Sequence, residues 1–345
     1  MTRPPLTDDA IFVSSRHAIP LTTVQERVRD TLNDGLRSGR IARESVPCLC
    51  GTPACALEKL AESHRYGVEQ PITICPNCGL IQLCPRMTEQ EYERFYSSDA
   101  YRLLYDGEDF AERYERMLTP SQGQRILSAV LEHCARCASV LELGAGAGWN
   151  LVAFQAAGFQ VKGWDYSEQL TRLGRSKGIP MSRGGIAEAI TEGSRYDAII
   201  LNHVLEHLLE PVAVLSKLHG LLNPGGCLYI GVPATDFPSR GLLQSAHVYY
   251  FTDRTLSHYL ARAGWIAGRI VHEDHFGMHT VARPGESQPL NLRMEYNDSL
   301  TRLRANRQKM AFLAEWYRVR SVLLLCLTSL GLCNAVRAAY RRLSS

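Results

Sequence analysis

The sequence has no apolar leader, no internal repeat and no unbroken apolar run of the roughly 20 residues that a membrane-spanning helix needs. Its formal net charge is only +3 over 345 residues, so charge alone points to no class of partner. The eleven cysteines are odd in number and spread along a long chain, which argues against a disulfide scaffold. Together these absences predict a protein of a reducing compartment, the cytoplasm.

Hydrophobic residues make up 45% of the chain, enough to bury a large core. Changes in composition and periodicity predict one large domain with smaller appendages. We divide the chain into a lead-in with an amphipathic helix (1–46), a cysteine-rich module (47–88), a helical bridge (89–137), an α/β domain (138–284) and a basic helical tail (285–345).

Apolar strands alternate with helical patterns in the α/β domain, which is typical of a mostly parallel sheet. The predicted strands are "SVLELG", "QVKGWD", "YDAIILN" and "GCLYIGVP". Two later segments, "WIAGRIVHE" and "GMHTVARP", are close enough in the chain to form an antiparallel hairpin.

A glycine-rich turn follows the first of these strands in "VLELGAGAGWN". Gly144, Gly146 and Gly148 allow a tight turn and a close approach of the backbone to a ligand. The NAD fingerprint places its third glycine five positions after the first, and here that position is Trp149. The loop therefore favours a nucleoside ligand without a pyrophosphate.

Two acidic residues flank the turn. Asp165 ends the next strand, where a carboxylate accepts hydrogen bonds from ribose hydroxyls. Glu142 lies inside the first strand, where burying its charge requires a partner, and a ligand amine would supply one. The alternative is that Asp165 caps a helix and Glu142 is satisfied by backbone groups.

The run of motifs "VLELGAGAG", "GWDYS", "YDAIILNHVLEHLLEP", "LLNPGGCLYIGVP" and "HVYYFTDRTLSHYLARAGW" resembles the class I S-adenosylmethionine (SAM) dependent methyltransferases over residues 139–283. The resemblance implies a Rossmann-like, doubly wound sheet of seven strands with an antiparallel final strand, and SAM as cofactor. The implied donor residues are Glu142, Gly144 and Gly146 at the methionine part, Asp165 at the ribose, Tyr166 and Ile186 at the adenine, and Asn202 and His203 near the methyl group.

The segment "HVLEH", from His203 to His207, also fits H-x-x-E-H, an inverted zinc-peptidase motif. That alternative needs both histidines on one helix and a third ligand. Because His203 directly follows a predicted strand, the methyltransferase interpretation is favoured.

The cysteine-rich module contains a C-x-x-C knuckle, Cys75 and Cys78, whose thiolates could share one metal ion. It resembles the zinc-ribbon segment that precedes the catalytic domain in sugar methyltransferases. Cys48, Cys50 and Cys55 are the possible further ligands, but their spacing is irregular. We favour a structural zinc on Cys48, Cys50, Cys75 and Cys78, with a ribbon of merely buried thiols as the alternative.

Methyl transfer from SAM mainly requires a positioned acceptor, and an alcohol acceptor benefits from a base with a pKa near neutral. His203, His207 and His247 are therefore the candidate catalytic residues. The Tyr-His-Glu-His run of carbon-methylating relatives is missing. We expect O-methylation of a sugar, nucleotide sugar or glycan in polysaccharide biosynthesis, with a quinone-like or phenolic acceptor, or sugar C-methylation, as alternatives.

The tail from Asn291 holds ten Lys or Arg against three Asp or Glu, and its apolar run Val322–Val336 is flanked by arginines. This pattern fits a helix lying on an anionic membrane surface, or equally a helix packed on the protein. The ribbon lacks the basic density of a phosphate-binding face, so no nucleic-acid partner is expected.

Overall fold

The computed structural model describes residues 21–64, 66–107, 110–134, 136–234, 246–273 and 277–305. The apolar run Val322–Val336 and the arginines around it, on which the predicted membrane contact depends, lie outside the described residues. Within the part that is described, no helix is long and apolar enough to cross a membrane.

The N-terminal part pairs one helix with a small β-module. The helix begins with a capping box between Thr22 and Gln25 and ends at Gly39, whose φ is 73°. The elements are α1 (Thr23–Ser38), β1 (Arg43–Glu44), β2 (Glu58–Ala61), β3 (Ile72–Ile74), β4 (Ile81–Leu83) and β5 (Arg86–Met87).

Four helices follow in the segment that we call the bridge. They are α2 (Glu89–Ser97), α3 (Ala100–Tyr105), α4 (Phe110–Met117) and α5 (Pro120–His133). Proline in the first turn of α5 costs no intrahelical hydrogen bond, which suits a helix start.

The large domain alternates strands and helices, as its periodicity predicts. Its elements are β6 (Ser139–Leu143), α6 (Leu151–Ala156), β7 (Gln160–Asp165), α7 (Glu168–Ser176), β8 (Met181–Arg183), α8 (Ile186–Glu192), β9 (Tyr196–Asn202), α9 (Pro211–Leu218), β10 (Leu222–Pro233), β11 (Tyr249–Tyr250), α10 (Asp253–Arg262), β12 (Trp265–Ala267), β13 (Val271–His272) and β14 (Gly277–Pro284).

The main sheet has the order β12-β14-β10-β9-β6-β7-β8, and β13 adds a short strand beside β14. Strands β6 to β10 run parallel, while β14 is antiparallel to β10 and to β12. This arrangement confirms the predicted α/β fold with a mostly parallel sheet and an antiparallel edge. The order reverses at β6, and ligands of such sheets bind at the carboxyl ends of the strands around that point.

The second sheet joins the cysteine-rich module to the large domain. Its order is β11-β4-β3-β2, so a strand from residues 249–250 completes a sheet otherwise made before residue 84. Tyr249 pairs with Gln82 and Tyr250 with Ile81. The segment that follows the large domain's parallel strands is therefore held by the N-terminal module.

Candidate active site

The glycine turn adopts a conformation that other residues resist. Gly144, Gly146 and Gly148 have φ values of 71°, 59° and 82°. A Cβ atom on Gly146 would lie 2.4 Å from the ring of Trp149, which folds back over the turn. Trp149 in turn stacks on Tyr114 of the bridge, with ring centroids 4.9 Å apart.

Asp165 lies at the carboxyl end of β7, beside the turn. One carboxylate oxygen accepts a 2.8 Å hydrogen bond from the Gly146 amide and the other a 2.9 Å bond from the Ser167 amide. The guanidinium of Arg102, on α3, approaches to 3.9 Å. Asp165 thus holds the turn and keeps lone pairs beside it, as ribose recognition requires.

Glu142 is buried in the middle of the sheet, 1% exposed. The amide of Asn150 donates a 2.7 Å hydrogen bond to Oε1, while Oε2 has no hydrogen-bond partner among the residues that the structure describes. Burial raises the pKa of Glu142 to about 8, although the Asn150 bond opposes the shift. A ligand ammonium would satisfy both the orphan oxygen and the charge.

The predicted adenine residues lie together at the rim. Tyr166 is 56% exposed and its ring covers Gly185, since a Cβ there would lie 2.1 Å from the phenol oxygen. Ile186 follows directly and begins α8. A cleft of about 650 Å³ between α7 and the bridge opens beside Tyr166.

Asn202 ends the central strand β9, and His203 follows it directly. Asn202 packs its amide on Gly231 of β10, where a Cβ would lie 2.5 Å from Oδ1. His203 has a φ of 56°, an uncommon conformation for a residue with a side chain, which often marks a functional position. Its ring remains 55% exposed at the end of the strand.

The three candidate catalytic histidines surround one buried carboxylate. Oε1 of Glu206 lies 3.4 Å from Nδ1 of His203, 3.8 Å from Nε2 of His207 and 3.7 Å from Nε2 of His247. Loss of water around its Nδ1 lowers the pKa of the partly exposed His203, but the Glu206 carboxylate outweighs this effect, so the net shift is upward. Burial lowers the pKa of His207, and the Glu206 charge only partly offsets it.

The H-x-x-E-H segment does not form one helix. β9 ends at Asn202, and a short 3₁₀ turn covers Leu205–His207. The two histidines therefore do not occupy successive turns of an α-helix, the geometry that an inverted zinc-peptidase motif requires.

Sequence reasoning missed several residues that complete the site. Tyr96 of α2 lies 2.9 Å from Nδ1 of His207, and Tyr101 packs edge-on to the same ring. Arg102 reaches Asp165, as described above. The aromatic-rich bridge sequence was the available signal, but nothing in it shows which ring faces the sheet.

The cysteine module brings together the four thiols that we favoured. Cys48 Sγ lies 3.5 Å from Cys78 Sγ, and Cys50 Sγ lies 3.6 Å from Cys75 Sγ. All four sulfurs lie within 4.8 Å of one another, close to the roughly 3.8 Å spacing of a tetrahedral zinc site. Cys55 is exposed and lies outside this group.

Residues 109–266 match the family model described as a methyltransferase domain. The chain contains a methyltransferase domain. This result bears out the predicted methyltransferase domain. The match spans the predicted donor residues from Glu142 to His203, as well as the candidate catalytic residues His207 and His247.

Curated relatives match a part of this domain. Ubiquinone biosynthesis O-methyltransferases of Xanthomonas campestris pv. campestris are 30% identical over 100 residues, which cover 27% of this chain. The match spans 42% of the length of those relatives.

Two solved structures illustrate the likeness in fold. A 1,6-didemethyltoxoflavin-N1-methyltransferase of Burkholderia thailandensis has a TM-score of 0.47 at 23% identity, covering 60% of this chain and 96% of its own. An O-methyltransferase family protein from the same organism has a TM-score of 0.43 at 18% identity, covering 56% of this chain and 64% of its own.

Proposed function

We propose that the protein is a SAM-dependent methyltransferase that O-methylates a sugar, nucleotide sugar or glycan. The observation that carries the donor assignment is the buried Glu142, whose Oε2 has no hydrogen-bond partner in the described part of the chain. It lies two residues before the glycine turn, and Asp165 borders the same turn. SAM carries an ammonium group at its methionine end and a ribose at its nucleoside end. Glu142 would bind the ammonium, Asp165 would bind the ribose, and the glycine turn would let the backbone approach the ligand.

SAM supplies an activated methyl group for in-line transfer to a nucleophile. The chain's residues must hold the acceptor oxygen in line, take up its proton and exclude water. His203 ends the strand next to the donor turn, and His207 and His247 lie behind it around Glu206. This histidine cluster is where an acceptor hydroxyl would lose its proton.

Tyr96 and Tyr101 would form the wall of the pocket that holds the methyl acceptor, and this wall has both aromatic rings and a polar group. Tyr96 and Tyr101 pack against His207, with ring centroids 6.0 and 6.4 Å away. Aromatic rings suit the apolar face of a sugar, and the hydroxyl of Tyr96 adds a polar group. The same wall would accept a phenol, and the likeness to ubiquinone biosynthesis O-methyltransferases favours that second candidate.

Transfer of a labelled methyl group to a panel of acceptors tests both candidates. We expect labelling of sugar nucleotides or glycans, in products that are stable to the conditions that hydrolyse methyl esters. Labelling of catechols alone would replace the sugar proposal by the phenol candidate. A C–CH₃ product by NMR would replace O-methylation by C-methylation.

We also propose that Cys48, Cys50, Cys75 and Cys78 hold a structural zinc ion. The support is the convergence of four thiols from two loops of the module, three of which belong to buried residues. With four protein ligands such a site is closed, so its role is to staple the module rather than to react.

Donor binding should strengthen as the pH rises from about 6 to about 8. The pKa of Glu142 in the free protein is raised to about 8, so at pH 6 the group must lose its proton before it can pair with the ligand ammonium. S-adenosylhomocysteine should therefore bind about tenfold to 100-fold more weakly at pH 6 than at pH 8. Titration calorimetry in buffers of different ionisation enthalpy should show about one proton released at pH 6.

Glu142→Gln is the matched variant, because it keeps the shape and removes the titration. Its affinity should be weaker at pH 8 and nearly independent of pH. In the free wild-type protein, ionisation of this buried group costs stability, so stability should fall as the pH rises from about 4.5 to about 8, and the variant should lack that fall. Binding of the wild type without proton release at pH 6 would contradict the assignment.

A further inference from the structure

Glu206 is a charged group in a place where charge is costly. Its side chain is 1% exposed, and neither carboxylate oxygen has a hydrogen-bond partner among the described residues. Burying a carboxylate costs several kcal/mol in order of magnitude unless it is paired, and here Nδ1 of the exposed His203 lies 3.4 Å from Oε1 while Oε2 has no hydrogen-bond partner among the described residues, so the burial requires an explanation. A metal ion bound beside the carboxylate is one of the few explanations that fit.

Two imidazole nitrogens face the same oxygen at distances that no hydrogen bond explains. Nε2 of His207 and Nε2 of His247 lie 3.8 and 3.7 Å from Oε1 of Glu206. One ligand atom from each of the three side chains lies within 4.8 Å of the others. Three ligands about 2.1 Å from one ion in tetrahedral positions would be about 3.4 Å apart, and the two distances from Oε1 of Glu206 to the imidazole nitrogens exceed that spacing by only a few tenths of an ångström.

Tyr96 fixes the chemistry of the His207 ring. Its hydroxyl lies 2.9 Å from Nδ1 of His207 and donates a 3.3 Å hydrogen bond to the carbonyl of Ala246. When the Tyr96 proton goes to Ala246, as this bond requires, the tautomer of His207 that fits is the one in which Nδ1 donates to the Tyr96 oxygen. Nε2 then carries a lone pair that points to Glu206, which is how a metal-binding histidine is oriented.

The backbone holds the ligands in place. The amide of Val248 donates a 2.8 Å hydrogen bond to the carbonyl of Glu206, tying the His247 segment to the 3₁₀ turn. On the open side, His203 lies 3.4 Å from Glu206 and is largely exposed at the end of β9. The three ligands therefore leave a coordination position on the side where the proposed acceptor and donor meet.

We infer that Glu206, His207 and His247 bind a divalent transition-metal ion that holds the hydroxyl of the methyl acceptor. Two imidazoles and a carboxylate suit manganese, iron, cobalt, nickel or zinc rather than magnesium. The inference rests on the proposed function. The acceptor's O–H proton leaves to His203 or water, an O–CH₃ bond forms, and the electron pair of the broken S–CH₃ bond stays on sulfur.

Manganese titration of protein that carries only one zinc per chain, the ion proposed for the cysteine cluster, tests this site apart from that cluster, because Mn²⁺ is poorly matched to thiolates. We expect about one Mn²⁺ per chain by calorimetry and electron paramagnetic resonance. Glu206→Gln should weaken Mn²⁺ binding by about 100-fold, through loss of the ligand charge, and Tyr96→Phe by about tenfold, through loss of the ring's orientation. Binding of S-adenosylhomocysteine, with a melting temperature no lower than that of the wild type, shows that each variant is folded.

Glu273→Gln is the matched control. Glu273 is also largely buried, but it is already hydrogen-bonded to His279 at 2.8 Å and paired with Arg125 at 2.6 Å. This variant should bind Mn²⁺ within about threefold of the wild type. Absence of Mn²⁺ uptake, or equal uptake by Glu206→Gln, overturns the inference even if S-adenosylhomocysteine binds. Absence of S-adenosylhomocysteine binding to the wild type overturns the proposed function instead.

Discussion

Replacing Asp165 by alanine should raise the dissociation constant for S-adenosylhomocysteine by about 100-fold or more. The variant loses the carboxylate proposed to accept hydrogen bonds from the ribose, each worth about 1.5–3 kcal/mol for a charged acceptor. It also loses the bonds from the Gly146 and Ser167 amides, which hold the glycine turn. Titration calorimetry at pH 8, where Glu142 is ionised in large part, measures the effect.

Asp197→Ala is the matched control for this experiment. Asp197 also accepts backbone hydrogen bonds, from the amides of Ala138 and Ser139 at 2.9 and 3.0 Å, but it lies at the opposite end of the sheet. Its loss should lower the melting temperature and leave donor affinity within about threefold. If Asp165→Ala binds the ligand as tightly as the wild type does, the donor assignment is wrong.

The donor half of the site could be predicted because its rules are local. A buried strand, a glycine turn and an acid at the end of the next strand lie within about two dozen residues of each other, and parallel pairing brings strand ends together. Glu142 and Asp165 accordingly lie where the sequence placed them, on neighbouring strands. The bulk of Trp149 disfavours a dinucleotide, and in the structure its ring covers the turn itself.

The acceptor half could not be predicted because its contacts are long-range. Tyr96 and His207 are 111 residues apart in sequence, and Tyr96 and Ala246 are 150 apart. A helical pattern shows that the bridge buries one face but not which side chain that face presents to the sheet. For the same reason, Glu206 looked like one more residue of a helical turn rather than the centre of a cluster.

The cysteine pairing was open for a different reason. C-x-C is too short for the usual zinc knuckle, yet Gly51 follows with a φ of 91° and its amide bonds to the Cys48 carbonyl at 2.7 Å. Within the turn that this hydrogen bond closes, both thiols belong to the same four-sulfur cluster. The spacing rule for zinc ligands describes the C-x-x-C turn, whereas Cys48 and Cys50 lie in a different turn with one residue between them.

The module also reaches the candidate active site through the backbone. The amide of Leu83, in β4, donates a 3.0 Å hydrogen bond to the carbonyl of Val248, whose own amide bonds to the carbonyl of Glu206 at 2.8 Å. His247 is therefore held between the second sheet (β11-β4-β3-β2) and Glu206. A well-defined position of the His247 side chain should therefore depend on a folded cysteine cluster.

Cys75→Ser should accordingly remove the proposed zinc and slow methyl transfer while leaving donor binding intact. Cys75 is fully buried, and its sulfur is one of four that would share the ion. We expect zinc to fall from about one ion per chain to near zero and the melting temperature to fall by about 10 °C. A loosened His247 should lower kcat by about tenfold or more, since small misplacements of catalytic groups are costly.

Cys55→Ser controls for the loss of a thiol in the same module, because Cys55 is exposed and lies outside the cluster. It should keep the zinc content, the melting temperature and kcat of the wild type. In both variants S-adenosylhomocysteine should bind within about threefold of the wild type, because the donor turn is built from β6 and β7 without the ribbon. Wild-type protein without zinc would refute the metal site, whereas zinc loss with an unchanged kcat would refute only the coupling between the ribbon and His247.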